Sequence, residues 1–321
     1  MDITVIGCGR WGSLITWYLD HIGHRVTLYG RAASPRMQAF LATRQNDLLT
    51  LPASVALSTD LTAALSGAET VIISIGSQSL RSLLGQPELQ ALRARTVVLC
   101  MKGLEMGTGA RLSQIAAACL HPSNTVAVWL GPGHVQEFYR GIPNCMVIDS
   151  ENEDAKRRLV QAFSSDLIRF YYGGDMIGNE VGAAAKNVVG IAAGFLDGFE
   201  MSSLKGALMS RGTREVARLI KAMGGSELSA YGLCHLGDYE ATVFSPYSHN
   251  RQFGESFVRG HDYHQLAEGY YTVKALMLLG RRYGVELPIC KAVHDILYEQ
   301  AAPRDVLADL LRRGLTEEFY D

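Results

Sequence analysis

The sequence predicts an α/β fold: a doubly wound, mostly parallel sheet, followed by an all-α C-terminal domain. Three observations support this prediction. β-branched runs alternate with helical stretches up to about residue 172, a glycine-rich turn follows the first of these runs, and the remainder reads almost entirely helical. Such alternation is typical of a parallel sheet that helices cover on both faces.

The strands are predicted from short β-branched and aliphatic runs. These runs cover residues 3–6, 25–29, 70–75, 96–100, 125–130 and 145–148, with a last strand near Tyr171. Helical patterns between them cover residues 11–21, 77–92 and 110–120. We place the domain boundary at Gly173-Gly174, which predicts a first domain over residues 1–174 and a helical domain over residues 175–321.

The helical domain is predicted from apolar periodicity and helix-end signals. Val216, Leu219, Ile220 and Met223 have the i, i+3, i+4, i+7 spacing of a core-facing helix, which Gly224-Gly225 would end. Further helices are expected over residues 180–194, 268–283 and 288–300, and Pro303 opens the last one.

Composition narrows the functional class. The chain has 321 residues, 48% hydrophobic and 19% charged, with a net charge of −2, so nucleic acid and anionic membranes are not expected as partners. The longest apolar run, residues 188–196, is far shorter than the ~20 residues that span a bilayer. Six scattered cysteines without a CxxC pair are typical of a reducing compartment, and no signal peptide precedes the first strand, so we expect a cytoplasmic protein.

The glycine-rich turn has the spacing of a dinucleotide-binding loop. Gly7, Gly9 and Gly12 form GxGxxG between the first strand and the first helix, which favours a Rossmann-like domain over a simple turn. Arg10 and Trp11 lie within this loop and are expected to contact the cofactor, although Trp11 suits the core equally well.

The choice of cofactor depends on the end of the second strand. An NAD site usually has an acidic residue there, whereas this strand ends in Tyr29-Gly30-Arg31. Arg31 could pair with the 2′-phosphate of NADP, or it could be a solvated surface residue. We expect NADP or NAD, with NADP slightly favoured.

Lys186 is an ammonium group within the mostly apolar segment EVGAAAKNVVGIAAG, residues 180–194. On a helix it shares a face with Gly182 and Val189, and the pairs Gly178/Gly182 and Gly190/Gly194 would let another element approach closely. Reduction of a ketone needs a proton donor at the forming alkoxide, a role that a lysine can fill. The alternative is a lysine that extends its ammonium into solvent.

Several motifs along nearly the whole chain together resemble the bacterial-type NAD(P)-dependent glycerol-3-phosphate dehydrogenases. They are IGCGRWG (6–12), MKGLE (101–105), LGPGHVQE (130–137), NEVGAAAKNVVGIAAGFLDG (179–198), GLCHLGDYEATVFSPYSHNRQFG (232–254) and AEGYYTVKAL (267–276). The resemblance implies reversible NAD(P)H-dependent reduction of dihydroxyacetone phosphate to sn-glycerol 3-phosphate, supplying glycerophospholipid synthesis. It also implies a homodimer.

The resemblance assigns three catalytic residues. Lys186 matches the family's proton-transferring lysine, Lys102 its lysine at cofactor and substrate, and Asp238 its aspartate beside the catalytic lysine. From the residues alone, Lys102 could be an exposed loop lysine and Asp238 an ordinary turn aspartate.

The remaining site residues also follow from the resemblance. Gly131 and Gly133 match a loop at the substrate, and Val135, Leu266 and Glu268 match cofactor positions. Gly133 replaces the family's usual hydroxyl residue. Ser248, His249 and Asn250 match the family's Ser-Arg-Asn, which holds the substrate phosphate, with Arg251 as a further candidate contact.

The histidine at position 249 is the main departure from the family motif. An arginine has a permanent charge, whereas a histidine is charged only below a pKa near ~6.5. This change predicts weaker phosphate binding above neutral pH or a different substrate; alternatively, His249 only fills space.

Two other functions stay open: a related two-domain reductase of the ketopantoate reductase or opine dehydrogenase type, and a non-catalytic nucleotide sensor. HDYH, residues 261–264, has no third ligand at suitable spacing, so no metal is expected.

Overall fold

Two compact units make up the chain in the computed structural model, which describes residues 1–312 and Glu318. The first, called here the sheet unit, comprises Met1–Met101 and Leu112–Met176. The second, the helical unit, comprises Lys102–Arg111 and Ile177–Asp321. Residues 102–111 therefore leave the sheet unit and return to it, an excursion that a single boundary near residue 174 does not describe.

The sheet unit has eight strands in the order β3-β2-β1-β4-β5-β6-β7-β8. Their bounds are β1 Asp2–Ile6, β2 Arg25–Tyr29, β3 Ala56–Ser58, β4 Thr70–Ile73, β5 Thr96–Leu99, β6 Thr125–Leu130, β7 Asn144–Asp149 and β8 Ile168–Tyr172. All neighbouring pairs are parallel except β6 and β7. The prediction of a doubly wound sheet is confirmed, although it missed the three-residue β3, which pairs with β2.

Eight helices connect the strands of the sheet unit. They are α1 Arg10–His21, α2 Pro35–Thr43, α3 Leu61–Leu65, α4 Leu80–Leu84, α5 Pro87–Gln90, α6 Leu112–Cys119, α7 Val135–Tyr139 and α8 Glu153–Phe163. The single helix predicted over residues 77–92 is wrong. Gln86 is extended, with ψ of 141°, because the ring of Pro87 disfavours a helical conformation in the residue before it.

Large aromatic side chains form part of the buried core of the sheet unit. Trp129 on β6 packs edge-on against Phe170 of β8 at 4.8 Å and near Phe163 of α8 at 5.7 Å between ring centroids. Tyr18 of α1 meets the same tryptophan at 6.1 Å. The sheet unit is therefore stabilised both by backbone pairing between strands and by an aromatic cluster that strands and helices share.

Six helices form the described part of the helical unit: α9 Met176–Gly198, α10 Lys205–Ala222, α11 His249–Val258, α12 Glu268–Tyr283, α13 Pro288–Tyr298 and α14 Pro303–Leu311. Of the predicted core-facing stripe, Val216, Leu219 and Ile220 are buried and Met223 is partly buried, and α10 ends before Gly224, whose φ is +90°. No helix among the described residues is long and apolar enough to cross a membrane.

Helix α9 runs through the helical unit and lets its neighbours approach through glycines. A Cβ at Gly194 would lie 2.1 Å from the carbonyl oxygen of Arg251 and 2.9 Å from Cα of Gly254, both on α11. A Cβ at Gly190 would lie 2.8 Å from the methyl group of Thr242. The close approach expected from the glycine spacing therefore occurs along this helix.

The excursion 102–111 is held against the helical unit at several points. Leu104 is fully buried in the same core cluster as residues of α9 and α12. Arg111 forms a buried ion pair with Glu180 of α9, with 2.5 Å between Nη1 and Oε2. Gly109, at φ +71°, leaves space that Leu279 fills. These contacts position Lys102 at the start of the excursion.

We predict that Gly194→Ala lowers the free energy of unfolding by at least about 3 kcal/mol, the upper end of overpacking costs. The added methyl group meets backbone atoms of α11, which cannot move aside as a side chain can. Urea unfolding of the purified variant measures the change.

Gly206→Ala is the matched control. Gly206 lies on α10 with nothing within 4 Å of its Cβ position, so alanine should leave stability unchanged or raise it by up to about 1 kcal/mol. Equal destabilisation by both substitutions would contradict the role assigned to Gly194.

Candidate active site

Three charged side chains of the helical unit meet at one carboxylate oxygen. Oδ2 of Asp238 lies 2.6 Å from Nζ of Lys102 and 2.9 Å from Nζ of Lys186. The Asp238 side chain is 1% exposed and that of Lys186 9%, whereas that of Lys102 is 19% exposed. The three residues assigned as catalytic from the sequence are therefore in direct contact.

Irregular helical turns place the groups that contact Lys186. Asp238 ends a short 3₁₀ turn, Leu236–Asp238, and a π-helical turn follows over Glu240–Phe244. Thr242 on that turn accepts a hydrogen bond from Nζ of Lys186 at 2.7 Å. An ammonium has three N–H donors, and Asp238 and Thr242 account for two of them.

The pKa of Lys186 is lowered to about 8, chiefly by burial, which disfavours the charged form. Asp238 opposes this effect because its negative charge stabilises the ammonium, while the nearby Lys102 adds to the lowering. Near neutral pH the group is therefore mostly an ammonium, yet it can release its proton far more readily than an ordinary lysine.

Side-chain amides link the backbone of Lys102 to the start of α12. Asn187 donates to the carbonyl oxygen of Lys102 at 2.9 Å and accepts from Asn250 at 3.0 Å. Asn250 in turn accepts from the backbone N–H of Gly269 at 2.9 Å. The chain of hydrogen bonds orients the two asparagines and joins four segments of the helical unit at the lysine cluster.

The N-terminus of α11 carries the predicted phosphate residues. Buried Ser248 is its N-cap and accepts a hydrogen bond from the backbone N–H of Arg251. Nδ1 of His249 lies 2.6 Å from the hydroxyl oxygen of Tyr263. Backbone N–H groups and the helix dipole favour an anion at such a terminus.

Arg251 points to a different part of the unit. Its guanidinium donates to Asp197 at 2.6 Å and to Glu255 at 3.2 Å, and its Nε donates to the carbonyl oxygen of Ser245. Asp197 lies eleven residues after Lys186 on α9, roughly 16 Å along the helix axis. Two carboxylates and a carbonyl oxygen therefore already hold its guanidinium.

The glycine loop of the sheet unit fits a dinucleotide. Gly7 has φ of +116°, and a Cβ there would lie 2.1 Å from the carbonyl oxygen of Ser74. A Cβ at Gly12 would lie 1.9 Å from the carbonyl oxygen of Gly7. At Gly9 only Arg36 lies within 4 Å, at 3.6 Å. Gly7 and Gly12 are thus needed for the turn, while the backbone of Gly9 is open to a pyrophosphate.

Other predicted residues of the sheet unit lie near this loop in sequence or follow β6. Arg31 is exposed after β2, and Arg10 opens α1. The ring of Trp11 lies near that of Phe138 in a tilted arrangement, with 6.0 Å between ring centroids. The ring of Phe138 also occupies the space beside Gly133, whose φ is +135°. An aromatic ring therefore lies at the position where the family has a hydroxyl-bearing side chain. Gly131, at φ +130°, and buried Val135 complete this group.

The helical unit holds the last two predicted cofactor residues. Glu268 opens α12 and Leu266 is 53% exposed just before it.

The sequence did not identify three residues that touch the lysine cluster or its support: Thr242, Asn187 and His235. Asn187 had a local signal, since it adjoins Lys186 in the same motif. Thr242 and His235 lie in the same motif as Asp238, but no local pattern indicated their contacts, because their partners lie 56 and 53 residues away along the chain.

Two family profiles match consecutive parts of the chain. The N-terminal profile of NAD-dependent glycerol-3-phosphate dehydrogenase matches residues 2–156, and its C-terminal profile matches residues 175–308. The chain belongs to the NAD-dependent glycerol-3-phosphate dehydrogenase family. Among relatives of this family, the glycerol-3-phosphate dehydrogenase [NAD(P)+] of Thermus thermophilus is 37% identical over 330 residues, covering 99% of this chain and 100% of the relative.

Solved structures agree with this family. The glycerol-3-phosphate dehydrogenase of Coxiella burnetii has a TM-score of 0.90 and 27% identity, with 97% of this chain and 99% of that chain covered. A ketopantoate reductase from Ralstonia eutropha has a TM-score of 0.62 and 15% identity, covering 97% of this chain and 100% of that chain. The latter likeness shows a shared fold alone.

We predict that Asp238→Asn lowers the free energy of unfolding at pH 7 by about 3 kcal/mol, as expected when a buried ion pair loses one partner. Two ammonium groups then remain without their carboxylate. Lys186 loses the attraction that raised its pKa, so its pKa falls further and it gives up its proton at lower pH.

The loss should therefore be smaller at pH 9 than at pH 7, because at pH 9 Lys186 is largely neutral in both proteins. Urea unfolding of wild type and variant at both pH values tests this. An equal loss at both would show that the ammonium charge does not cause it.

Proposed function

We propose that this protein catalyses the reversible NAD(P)H-dependent reduction of dihydroxyacetone phosphate to sn-glycerol 3-phosphate. The observation that carries the proposal is the buried ammonium of Lys186, held by Asp238 and Thr242 beside Lys102. The family and the names of its relatives supply the substrate class and the cofactor.

The cofactor site that we propose centres on Gly7, Gly9 and Gly12, which would hold the pyrophosphate. Further contacts are proposed for Arg10, Trp11, Arg31, Lys102, Val135, Leu266 and Glu268. When bound, the reduced nicotinamide supplies a hydride to C2 of the substrate. We propose a preference for NADPH, since Arg31 follows β2 where an acidic residue would favour NAD; a lower Michaelis constant for NADH would contradict it.

Lys186 is proposed to donate a proton from Nζ to the C2 oxygen as negative charge develops there. Its burial makes the donation easier, because the neutral amine left behind suits a low-dielectric site better than an ammonium does. Lys102 adds a second positive charge that stabilises the forming alkoxide. Asp238 orients both ammonium groups and keeps Lys186 protonated near neutral pH.

The substrate phosphate is proposed to bind at the N-terminus of α11, to Ser248, His249 and Asn250. Backbone groups of Gly131 and Gly133 are proposed as further substrate contacts. Arg251 is a weaker candidate than the sequence indicated, because two carboxylates and a carbonyl already hold its guanidinium. His249 would then be the side chain that distinguishes this phosphate site from an arginine-containing one.

The biological setting is also part of the proposal. We propose a cytoplasmic homodimer whose product supplies glycerophospholipid synthesis. Light scattering of the purified protein tests the oligomeric state. A panel of other ketones, including ketopantoate, tests the alternative reductases, while tight NADPH binding without turnover of any ketone would indicate a nucleotide sensor.

We predict that Lys186→Met lowers the turnover rate by a factor of at least about 100, the usual contribution of a proton donor. NADPH should still bind to this variant. In the wild type, the initial rate of reduction should fall as pH rises through about 8, since reduction needs the ammonium. The rate of oxidation should rise over the same range, since it needs the free amine.

Lys221→Met is the matched control, because Lys221 is largely exposed on α10 and its loss should leave both rates unchanged. Near-normal turnover in Lys186→Met would refute the assignment of the proton donor.

We predict that His249→Arg lowers the Michaelis constant for dihydroxyacetone phosphate, and more so at pH 8 than at pH 6. An arginine keeps its charge at both pH values, whereas an imidazole carries one only in acid. Steady-state kinetics of both proteins measure the effect. A Michaelis constant in the wild type that does not change with pH would contradict a charged role for His249.

A further inference from the structure

The imidazole of His235 is fully buried and makes two hydrogen bonds. Its Nδ1 lies 2.8 Å from the carbonyl oxygen of Gly182, and its Nε2 lies 2.8 Å from the hydroxyl oxygen of Tyr239. A carbonyl only accepts, so Nδ1 carries the proton. Nε2 therefore accepts from the tyrosine hydroxyl, and both positions of a neutral ring are satisfied.

The charge state of the ring follows from its surroundings. Burial lowers the pKa of His235 to about 4; the hydrogen bond to Gly182 opposes this lowering, and the neighbouring Lys186 adds to it. The ring is neutral across the pH range in which Lys186 titrates. It can therefore lie close to the ammonium groups without adding a third positive charge.

The partner on α9 lies one turn before the proposed proton donor. Within an α-helix the carbonyl of Gly182 also accepts from the backbone N–H four residues later, which belongs to Lys186. A Cβ at Gly182 would lie 3.0 Å from Cβ of His235, so the glycine lets the ring approach. His235 thus holds the helical turn that carries Lys186.

The other contacts of His235 lead to Asp238. The backbone carbonyl of His235 accepts from the N–H of Asp238 at 3.0 Å. Tyr239, whose hydroxyl donates to the ring, is the next residue along. Its side chain is also fully buried, so the segment cannot shift without moving this aromatic ring.

We propose that His235, together with Tyr239, is a positioning residue that sets the contact between the Lys186 ammonium and the Asp238 carboxylate. The proposal rests on the proposed function only for its kinetic readout. Its structural content is that one neutral ring ties the turn below Lys186 to the turn that ends at Asp238.

The electrostatic consequence can be stated for the groups that face this contact. Asp238, Lys102 and the hydroxyl of Thr242 face the Lys186 ammonium, while Glu215 and Cys290 lie near Tyr239. Of these three groups that face Lys186, Asp238 alone carries a negative charge. If the Lys186–Asp238 contact lengthens, the pKa of Lys186 falls, because burial and Lys102 still oppose the ammonium.

The test uses three variants of the full chain. His235→Ala removes both side-chain hydrogen bonds, Tyr239→Phe removes only the hydroxyl, and His235→Asn keeps an N–H donor near the position of Nδ1. In the wild type the reduction rate should fall at alkaline pH, and this fall is called here the basic limb. The basic limb should lie about one pH unit lower in His235→Ala. The shift should be smaller in Tyr239→Phe, and His235→Asn should bring the limb back toward its wild-type position. Michaelis constants for NADPH should not change.

Tyr18→Phe is the matched control for Tyr239→Phe. Tyr18 is also fully buried, and its hydroxyl bonds to the carbonyl of Phe163 and to Ser165 within the sheet unit. Its loss should lower thermal stability without moving the basic limb. If Tyr239→Phe and Tyr18→Phe behave alike, with stability lowered and the limb unmoved, the positioning role is overturned.

A second readout does not depend on the substrate. The rate at which an amine-reactive reagent labels Lys186, followed by mass spectrometry against pH, reports its pKa directly. A lowered midpoint in Tyr239→Phe supports the positioning role even if dihydroxyacetone phosphate proves not to be the substrate. An unchanged or raised midpoint overturns it, even if His235→Ala does not fold.

Discussion

The contact between the ammonium of Lys186 and the carboxylate of Asp238 is the constraint on which the helical unit depends. Burial of an unpaired charge costs several kcal/mol, and a buried pair stabilises a fold only if its geometry is good and its other hydrogen bonds are satisfied. Here Thr242 and Lys102 complete those contacts. Several unusual features of the unit follow from the need to bring these groups together.

The glycines of α9 are one such feature. A helix with ordinary side chains at Gly182, Gly190 and Gly194 would keep the segment 235–255 at a greater distance, and neither Thr242 nor the turn at Asp238 would reach Lys186. The π-helical turn at Glu240–Phe244 is another. Such turns are rare and often occur at functional sites, since they redirect a side chain that a regular helix would aim elsewhere.

The phosphate end of the proposed site has a histidine, His249, where the family motif has an arginine. His249 bonds to Tyr263, and Arg251 is engaged by Asp197, a carboxylate whose pKa is lowered because hydrogen bonds from Lys205, Arg251 and Ser202 outweigh the opposing effect of burial. The nearby positive charge therefore neutralises the end of α9 rather than facing the start of α11. Anion binding at that helix would depend more on backbone N–H groups and on the imidazole than it would with an arginine at position 249.

The sequence by itself determined the alternation of strands and helices, apart from the short β3 and the division of the helix predicted over 77–92, together with the glycine loop and the family. Each depends on local signals: β-branched runs, a GxGxxG spacing and contiguous motifs. The pattern of residues 180–194 indicated Lys186 as a candidate proton donor. Lys102 and Asp238 were assigned only through the resemblance, since each alone suits a surface or turn residue. A local signal at Gln86-Pro87 was available and missed.

Only the tertiary structure decided which groups touch. Lys102 and Asp238 are 136 residues apart in the chain, and no periodicity relates them. Thr242 and His235 lie in a segment without a regular helical pattern, so their orientation depends on how α9 packs against it. Arg251 was proposed from its neighbours in sequence, yet its helix faces Asp197. Side-chain partners across such separations follow from packing, which local sequence patterns do not encode.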